Sequence, residues 1–447
     1  MNGPLLRYSP NNSGQTVTPA RKVKVEIRKR YRWILIIYAI MISSWILDFK
    51  SEGAGQGLAM QAIFSAFYIT FAGSFTVINR SRSKGLSFII LALCTVIFLA
   101  TAITTSIVYN ADIYNTMRNV IPIVLYITAA SASYSIVFEM KDNLRALRQC
   151  MATVALAYMI SAFFVIYFSK GVNFSTIRYE IIGGSIVFGV SYAVMMMRFK
   201  LIPIEIIMVF ISVLIISLSV TRTWIAVAAV EFMLVLVFVV KMRPGFIVRI
   251  FMVGAVLAIG VATLQLSGVP VLDRWTQRIF SNQFSVDPTS LSRERQNNSM
   301  LDSISQRPFF GAGLSGESRF WLEKNLGGSN EISRAYGFGH NQHLSMLFIG
   351  GIFGGLPLLL LQFWQSASAV IFMRKTRWYR ESDLVFFGVL SGLVICGTLA
   401  YGMLGGTFGD RELALWYGVG TGLFLATRDI WGKLARVVRR RVNIKTL

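Results

Sequence analysis

Residues 86–109 read LSFIILALCTVIFLATAITTSIVY and contain no charged side chain. An α-helix needs roughly 20 mainly apolar residues to cross the hydrocarbon core of a bilayer, so this stretch predicts a transmembrane helix. Similar segments recur along the chain and predict an all-α polytopic membrane protein with about 12 transmembrane helices. The other predicted spans lie near residues 33–48, 57–78, 117–138, 150–169, 181–197, 201–219, 223–240, 246–267, 343–364, 384–404 and 412–427.

The composition agrees with a bilayer as the surrounding solvent. Hydrophobic residues make up 54% of the 447 residues, charged residues make up 15%, and the mean hydropathy is +0.59. Cysteine usage indicates neither a disulfide nor a metal site, because each cysteine lies in or beside an apolar segment, where a free thiol acts as a small hydrophobe. The cysteines are Cys94, Cys150 and Cys396.

The net charge of +23 reflects membrane topology. Lys and Arg are retained on the cytoplasmic side of short loops, and most of the 44 basic residues fall in alternate loops and in the two terminal tails. This pattern predicts that both termini are cytoplasmic. Topology and contact with anionic lipid therefore account for the basic residues, and no nucleic-acid partner is needed to explain them. The short outer loops hold only Lys50, Arg118, Lys170, Arg178, Arg222 and Arg411.

The predicted organisation has five parts. Residues 1–32 form a polar, basic cytoplasmic tail without the features of a cleavable signal peptide, and residues 33–267 contain transmembrane helices 1–9. Residues 268–341 form one long periplasmic loop, which is too long and too polar for a turn. Residues 342–427 contain transmembrane helices 10–12, and residues 428–447 form a second cytoplasmic basic tail. Long loops are translocated whatever their charge, so the basic residues of this loop are compatible with the topology.

The long loop contains a predicted helix from Ser292 to Gln306. A serine N-cap begins it, Met300, Leu301 and Ile304 give it an apolar face, and Pro308 follows its end.

Arginine dominates the basic residues of this loop, whereas its net charge is nearly zero. The rigid guanidinium fork matches phosphate or carboxylate oxygens in a bidentate way, which indicates anion binding. Surface ion pairing with the acidic residues of the loop is the alternative interpretation for any one of them. The basic residues are Arg274, Arg278, Arg293, Arg295, Arg307, Arg319, Lys324 and Arg334.

Arg222 interrupts an apolar stretch where two predicted spans meet at the outer surface. A charge at that depth should face protein or a polar cavity, although an arginine that reaches the lipid headgroups beside Trp224 would also fit. Glu231, two to three turns deeper on the next span, is a second intramembrane charge. A buried ion pair is its simplest explanation.

His340 and His343 are the only histidines, and they lie where the long loop re-enters the membrane. An imidazole with a near-neutral pKa at a water-accessible boundary is a candidate general base. A structural role competes with that interpretation. Zinc is disfavoured, because its sites need three or four ligands and the chain has no third histidine and no cysteine on this face.

Residues 311–316 read GAGLSG and fit the pattern GxGxxG. No strand is predicted before them and they lie outside the cytoplasm, so we interpret them as a glycine-rich turn and not as a dinucleotide site. The absence of an Asp-x-Asp pair and of a phosphate-binding loop gives no support to a nucleotide site on the inner face.

Three outer-face motifs resemble the O-antigen ligase and polymerase superfamily of bacterial lipid-linked glycan transferases. They are residues 219–223 (SVTRT) around Arg222, residues 308–313 (PFFGAG), and the pattern of His340, Asn341, Leu344, Gly351 and Gly354. They occur in the order of the family, on the face that the charges assign to the periplasm, and the resemblance covers about residues 211–365. Thr221 and Thr223 depart from it, since the family often has Ser and Gly there.

The resemblance implies a GT-C-like fold with a periplasmic active site that needs neither a nucleotide sugar nor a metal or other cofactor. His340 would be the catalytic base and Asn341 would support it. Arg222, Arg278, Arg293 and Arg295 would bind the pyrophosphate of the donor, whose departure develops negative charge. The expected partners are an undecaprenyl-pyrophosphate-linked oligosaccharide and a glycan acceptor, and a chain-length regulator protein is compatible with this reading.

We therefore expect a membrane glycosyltransferase in the bacterial inner membrane, and within the superfamily we favour a polymerase of a surface polysaccharide, exopolysaccharide or O-antigen. A ligase that transfers the glycan to lipid A core or to a protein uses the same donor, so it is the alternative. A flippase or transporter for lipid-linked sugars is a second alternative. A transporter should show internal repeats and polar groups near the midplane, whereas here the candidate residues gather at one face.

Overall fold

A computed structural model describes residues 32–44, 46, 63–64, 66–73, 85–170, 184–219, 222–239, 248, 254–255, 258–259, 262, 265–266, 276, 288–322, 331–379 and 382–445. Most of these residues are helical. The helices, numbered in chain order, are α1 (Arg32–Ser43), α2 (Leu86–Val108), α3 (Ile113–Glu139), α4 (Leu144–Lys170), α5 (Gly184–Met195), α6 (Pro203–Ser219), α7 (Arg222–Leu234), α8 (Pro288–Gln306), α9 (Gln342–Thr376), α10 (Asp383–Gly402) and α11 (Arg411–Lys445).

The described residues also form four shorter elements. A π-helical turn (Val235–Val239) continues α7, and a 3-10 turn (Thr407–Gly409) joins α10 to α11. Strands β1 (Glu317–Leu322) and β2 (Glu331–Tyr336) pair antiparallel as a hairpin, with Glu317 opposite Tyr336. The sequence predicted only helices in this loop, so the hairpin is a departure from the prediction.

Four described helices are long and apolar enough to cross a membrane, namely α2, α3, α9 and α10. Shorter apolar helices occur within α1, α5, α6 and α7. The protein is therefore an all-α membrane protein, as the apolar segments predicted. The number of 12 spans stays a prediction.

The described helices coincide with predicted segments, but two of them are much longer. Helices α9 and α11 each contain 35 residues, because their polar ends continue the helix beyond the apolar part. The loop helix α8 was predicted to begin at Ser292, and that start is wrong. It begins at Pro288, since proline suits the first helical turn, where its missing N–H has no partner in any case.

The predicted apolar face of α8 is correct only in part. Met300 is fully buried and Ile304 packs against the core, whereas Leu301 is 52% exposed. Residues four apart share a helix face and adjacent residues do not, which separates Leu301 from the other two. The predicted end at Gln306 is confirmed, and Pro308 follows it.

The centre of the bundle is a close contact between α3 and α11. Gly418 and Gly422 of α11 lie one turn apart, and a Cβ on either would collide with a backbone carbonyl of α3, at Tyr126 or at Ala130. Without side chains at these positions the two backbones approach closely, as small residues permit in membrane helix pairs. This contact fixes the last helix of the chain against an early one.

At the end of the bundle opposite His340, Arg148 of α4 joins the starts of two other helices. Its guanidinium donates to both carboxylate oxygens of the buried Glu205 on α6, at 2.9 and 2.7 Å, and to Asp383 on α10 at 2.9 Å. Its charge also lies 3.6 Å from the centre of the Phe386 ring. The guanidinium also donates to the carbonyl of Lys200, in the connection before α6, at 3.2 Å. We interpret this cluster as structural, because it joins α4 to the starts of α6 and α10 and its charges are paired with one another.

Glu231 of α7 is fully buried inside the bundle. It lies in the space left by the missing side chain of Gly397 on α10, beside the hydroxyl of Ser191 on α5. No ion pair joins it to another described residue, so the predicted buried ion pair is not present within the part of the chain that the structure covers.

Candidate functional site at the broken helix

Helix α9 is broken near its start, and the chain after α8 fills the break. Gly351 has φ 60° and ψ −159°, which interrupts the helical hydrogen bonds on both sides. The N–H groups of Ile352 and Phe353 donate instead to the carbonyls of Pro308 and Phe309, at 2.8 and 3.0 Å. Irregular backbone at membrane depth is tolerated where protein buries it, and this insertion supplies that cover.

The insertion also donates to α9. The N–H of Ala312 donates to the carbonyl of Phe348 at 2.7 Å, and the N–H of Gly313 donates to the carbonyl of Ile349 at 3.0 Å. Residues 308–313 and α9 therefore each contribute two N–H donors and two carbonyl acceptors, and these form four hydrogen bonds between the two segments. The sequence motifs PFFGAG and GGIFGG, at 308–313 and 350–355, are the two halves of this junction.

Gly311 and Gly313 have φ values of 73° and 80°, in the left-handed region that favours glycine. A Cβ on Gly311 would also come within 2.6 Å of the Ile349 carbonyl oxygen. The predicted glycine-rich turn is therefore confirmed. It follows a helix and not a strand, which excludes the dinucleotide-binding arrangement.

The end of α2 and the start of α3 hold the other side of the insertion. Ser106 Oγ accepts from the N–H of Leu314 at 2.8 Å, and Asn119 Nδ2 donates to the carbonyl of Leu314 at 2.7 Å. Thr116 and Ser315 join their hydroxyls at 3.0 Å. These polar residues of the first half of the chain were missed from sequence, because polar residues in an apolar span give no sign of their partner.

His340 lies in the turn just before α9. The N–H of Gly339 donates to Ser345 Oγ at 2.9 Å, and the N–H of His340 donates to Gln296 Oε1 at 3.2 Å. Asn341 is the N-cap of α9, and its Oδ1 accepts from the N–H of Leu344 at 3.1 Å. Asn341 thus supports the site by fixing the backbone where the helix begins.

Arg293 of α8 faces this turn. The imidazole of His340 is exposed at the surface of the protein, yet partial desolvation by surrounding atoms, followed by the positive charge of Arg293, lowers its pKa below the ordinary 6.5. Both effects disfavour the imidazolium and favour the neutral ring. A neutral, accessible imidazole beside a guanidinium can accept a proton next to a group that stabilises anions.

The start of α7 reaches the same end of the bundle. Helix α7 begins at Arg222, and the ring of Trp224, two residues later, lies 5.1 Å from the ring of Tyr401 near the end of α10. The start of α7 is thus packed against the end of α10, the helix whose Leu399 carbonyl contacts His343 near the start of α9.

The remaining predicted arginines are less closely tied to this turn. Arg295 is half-buried on α8, but it follows Arg293 by two residues, and residues two apart do not face the same side of a helix. Arg278 lies outside the described residues, and so does the side chain of Arg222. The structure sets Arg293 against His340. The roles of Arg222, Arg278 and Arg295 in binding the pyrophosphate stay predictions.

His343 packs between helices. Its Nε2 lies 3.1 Å from the carbonyl oxygen of Leu399 on α10, and its ring centre is 5.5 Å from that of Phe363. These contacts agree with the structural interpretation of this histidine. Among the described residues, no three His, Cys, Asp or Glu side chains cluster closely enough to hold a metal ion.

Gln296 and Tyr401 were not predicted to belong to this site. Gln296 is 3% exposed and lies one turn before Met300 on the buried face of α8. A polar residue on the apolar face of an amphipathic helix was the available signal. Tyr401 gave no such signal, since an aromatic residue at the end of a span is common at membrane interfaces.

These features define a membrane protein in which the loop helix α8, the inserted turn and the broken helix α9 meet at the turn of His340. Residues 207–359 match the family model described as O-antigen ligase. The matched segment contains Arg222, α8, the inserted turn and His340, and it confirms the resemblance to the O-antigen ligase and polymerase superfamily. It supports a glycosyltransferase-like activity in polysaccharide biosynthesis. No curated protein matches the chain.

Proposed function

We propose that this protein is a membrane glycosyltransferase that polymerises undecaprenyl-pyrophosphate-linked oligosaccharide repeat units at the periplasmic face of the bacterial inner membrane. The observation that carries the proposal is that α8 sets Gln296 and Arg293 against the turn of His340, inside the segment that matches the O-antigen ligase family. Both termini would then be cytoplasmic, in keeping with the distribution of Lys and Arg.

The proposed reaction needs one base and a set of cations. The hydroxyl of the acceptor sugar loses its proton to the free ring nitrogen of His340 while its oxygen forms a bond to the anomeric carbon of the donor. The bond from that carbon to the pyrophosphate oxygen breaks, and its electron pair leaves with undecaprenyl pyrophosphate. Arg293, together with Arg222, Arg278 and Arg295, would stabilise the negative charge that develops there.

A ligase is the alternative, because it uses the same donor and differs only in its acceptor, which would be lipid A core or a protein. A flippase for lipid-linked sugars is a second alternative from another class. The gathering of Arg293, His340 and the start of α7 at one end of the bundle favours an enzyme, since a transporter needs its polar site near the membrane midplane.

Turnover by the purified protein tests the proposal. The protein is incubated with undecaprenyl-pyrophosphate oligosaccharide, alone and with lipid A core, and the products are separated by size. A ladder from the donor alone is the expected result and indicates a polymerase. A single shift that needs lipid A core indicates a ligase. If neither appears while the protein moves the lipid-linked sugar across vesicles, the glycosyltransferase proposal is wrong.

Arg222→Lys is expected to lower turnover although it keeps the charge. Lysine cannot form the paired, parallel hydrogen bonds that a guanidinium makes with phosphate oxygens. The loss of one such charged hydrogen bond corresponds to a decrease of roughly tenfold to a hundredfold in kcat/KM. Lys50→Arg, at another outer position, is the control and should change nothing. An unchanged rate in Arg222→Lys would return Arg222 to the interpretation of a side chain that reaches the lipid headgroups.

Arg293→Gln is expected to move the acid limb of the pH–rate profile to higher pH. The cation disfavours the imidazolium, so its removal raises the pKa of His340, and the neutral base then forms only at higher pH. Desolvation is the larger cause of the lowered pKa and remains in the variant, so the shift should be partial. The measurement is kcat/KM from about pH 5 to 9, which brackets histidine titration.

Glu294→Gln, an exposed position next to Arg293, is the control for this shift. It also removes one charge from α8 but not from the face that meets His340. An acid limb that stays in place or moves to lower pH in Arg293→Gln would contradict the electrostatic contact between the two residues.

A further inference from the structure

Gln296 is a buried polar residue on the loop helix α8 that contacts the turn of His340. Its side chain is 3% exposed, and its Oε1 accepts the backbone N–H of His340 at 3.2 Å. Its amide also packs on Gly339, where a Cβ would lie 3.0 Å from both Cδ and Nε2 of Gln296. The amide of Gln296 therefore packs directly against the backbone of Gly339 and His340, and each restricts the movement of the other.

Among the described residues, four side-chain hydrogen bonds hold the turn from Gly339 to Asn341. Three are local to the start of α9: from the N–H of Gly339 to Ser345 Oγ, from Ser345 Oγ to the carbonyl of Asn341, and from the N–H of Leu344 to Asn341 Oδ1. The fourth goes to Gln296 and, of these four, is the one that connects the turn to a different element. Gln296 therefore ties the backbone of His340 to α8, because the three local bonds set only the shape of the turn.

Gln296 also stands in a fixed relation to Arg293. The two residues are three apart on α8, so they lie on the same helix face one turn apart. Met300, one turn further on, is fully buried and its sulfur lies 3.8 Å from Ser345 Oγ. One face of α8 thus presents a cation, an acceptor for the histidine backbone and an apolar contact to the start of α9.

We infer that Gln296 is a positioning residue, which holds the imidazole of His340 at the distance from Arg293 that the transfer reaction requires. The inference rests on the proposed function, in that it assigns His340 the part of the base. A base that is displaced by about 1 Å can lose on the order of a hundredfold in rate. Substrate affinity should change little, because Gln296 itself is buried behind the turn.

Gln296→Met tests this inference, because methionine has a similar length but no acceptor oxygen. We expect kcat to fall roughly tenfold to a hundredfold, with little change in KM for the donor. Gln296→Glu keeps an acceptor oxygen at the same reach and should recover most of the turnover. Among the residues that the structure describes, Arg293 is the charged group set against His340. A carboxylate at position 296 should oppose its effect and move the acid limb of the pH–rate profile to higher pH.

A second readout does not depend on turnover. The chain has only two histidines, so protein labelled at histidine gives two imidazole signals in nuclear magnetic resonance spectra, and a His343→Gln variant assigns them. Gln296→Met should shift the signal of His340 and its titration midpoint, and should leave His343 unchanged. Asn298→Met, at an exposed position of the same helix, should move neither signal.

The two readouts separate the possible failures. A wild-type protein that transfers no glycan to any acceptor would overturn the proposed function, while the response of the His340 signal would still decide the contact. An unchanged His340 signal in Gln296→Met, or a full kcat in an active preparation, would overturn the inference. An increase in KM alone, with kcat unchanged, would also overturn it, since that pattern indicates a role in substrate binding and not in positioning.

Discussion

Replacing His340 with alanine is expected to lower kcat for glycan transfer by about 10²–10⁴-fold, the contribution of a positioned general base. The variant removes the group that would take the proton of the acceptor hydroxyl, while the N–H of residue 340 can still donate to Gln296. The fold should therefore persist. The measurement is turnover of undecaprenyl-pyrophosphate oligosaccharide, with donor binding determined separately to show that the loss lies in the chemical step.

His343→Gln is the matched control, since it changes the only other histidine of the chain. His343 contacts the carbonyl of Leu399 inside the bundle, so this variant should cost about 1 kcal/mol of stability and leave kcat within the same order of magnitude. Full turnover in His340→Ala would show that the proposed mechanism is wrong. A large loss in His343→Gln with a small loss in His340→Ala would exchange their roles.

Gly351→Ala is expected to destabilise the protein by roughly 2–6 kcal/mol, through backbone strain and overpacking together. Gly351 has φ 60°, which alanine adopts only with strain. Its Cβ would also meet the carbonyl of Phe309 and come within 2.7 Å of the N–H nitrogen of Gly311. Both contacts are with backbone, which cannot rotate away. The free energy of unfolding in detergent, with the thermal midpoint, gives the measurement.

Gly432→Ala provides the comparison. Gly432 lies in α11 and a Cβ there meets nothing within 4 Å. Alanine should therefore stabilise that helix by about 0.5–1 kcal/mol, because it loses less backbone entropy than glycine. If Gly351→Ala unfolds at the wild-type temperature, the insertion between α8 and β1 does not depend on the break in α9.

The apolar segments predicted the helices of the bundle well, because a span is defined by its length and hydropathy. The predicted spans at 86–109 and 117–138 correspond to α2 and α3. The hairpin of β1 and β2 was missed for the same reason, since it lies in a polar loop where hydropathy carries no information. The start of α8 was misplaced because Ser292 resembled an N-cap, whereas Pro288 begins the helix.

The break in α9 could not be predicted from the apolar pattern. The segment from 343 to 364 reads as one continuous span, and its glycines can serve either close packing or a turn. Only the partners of Ile352 and Phe353 decide between these, and they come from residues 308 and 309 of the loop. A pattern within one segment does not contain the hydrogen bonds that another segment supplies.

The candidate site was predicted in part. His340 and Arg293 could be proposed, because imidazole and guanidinium suit proton transfer and phosphate binding wherever they meet. Their neighbourhood depends on the way α8 lies against the start of α9. Gln296 has as its partner a backbone N–H, which is present at every residue except proline, so no residue pattern could identify that contact.

The junction between the inserted turn and α9 also imposes an order on biogenesis. Residues 308–313 are synthesised before α9, and each of the two segments supplies hydrogen-bond partners to the other, so the N–H groups of Ile352 and Phe353 have no acceptors until the segments meet. Each such group costs several kcal/mol in hydrocarbon. Residues 308–313 must therefore return to α9 before its second half is exposed to hydrocarbon, and a chain in which they fail to return leaves these groups unpaired.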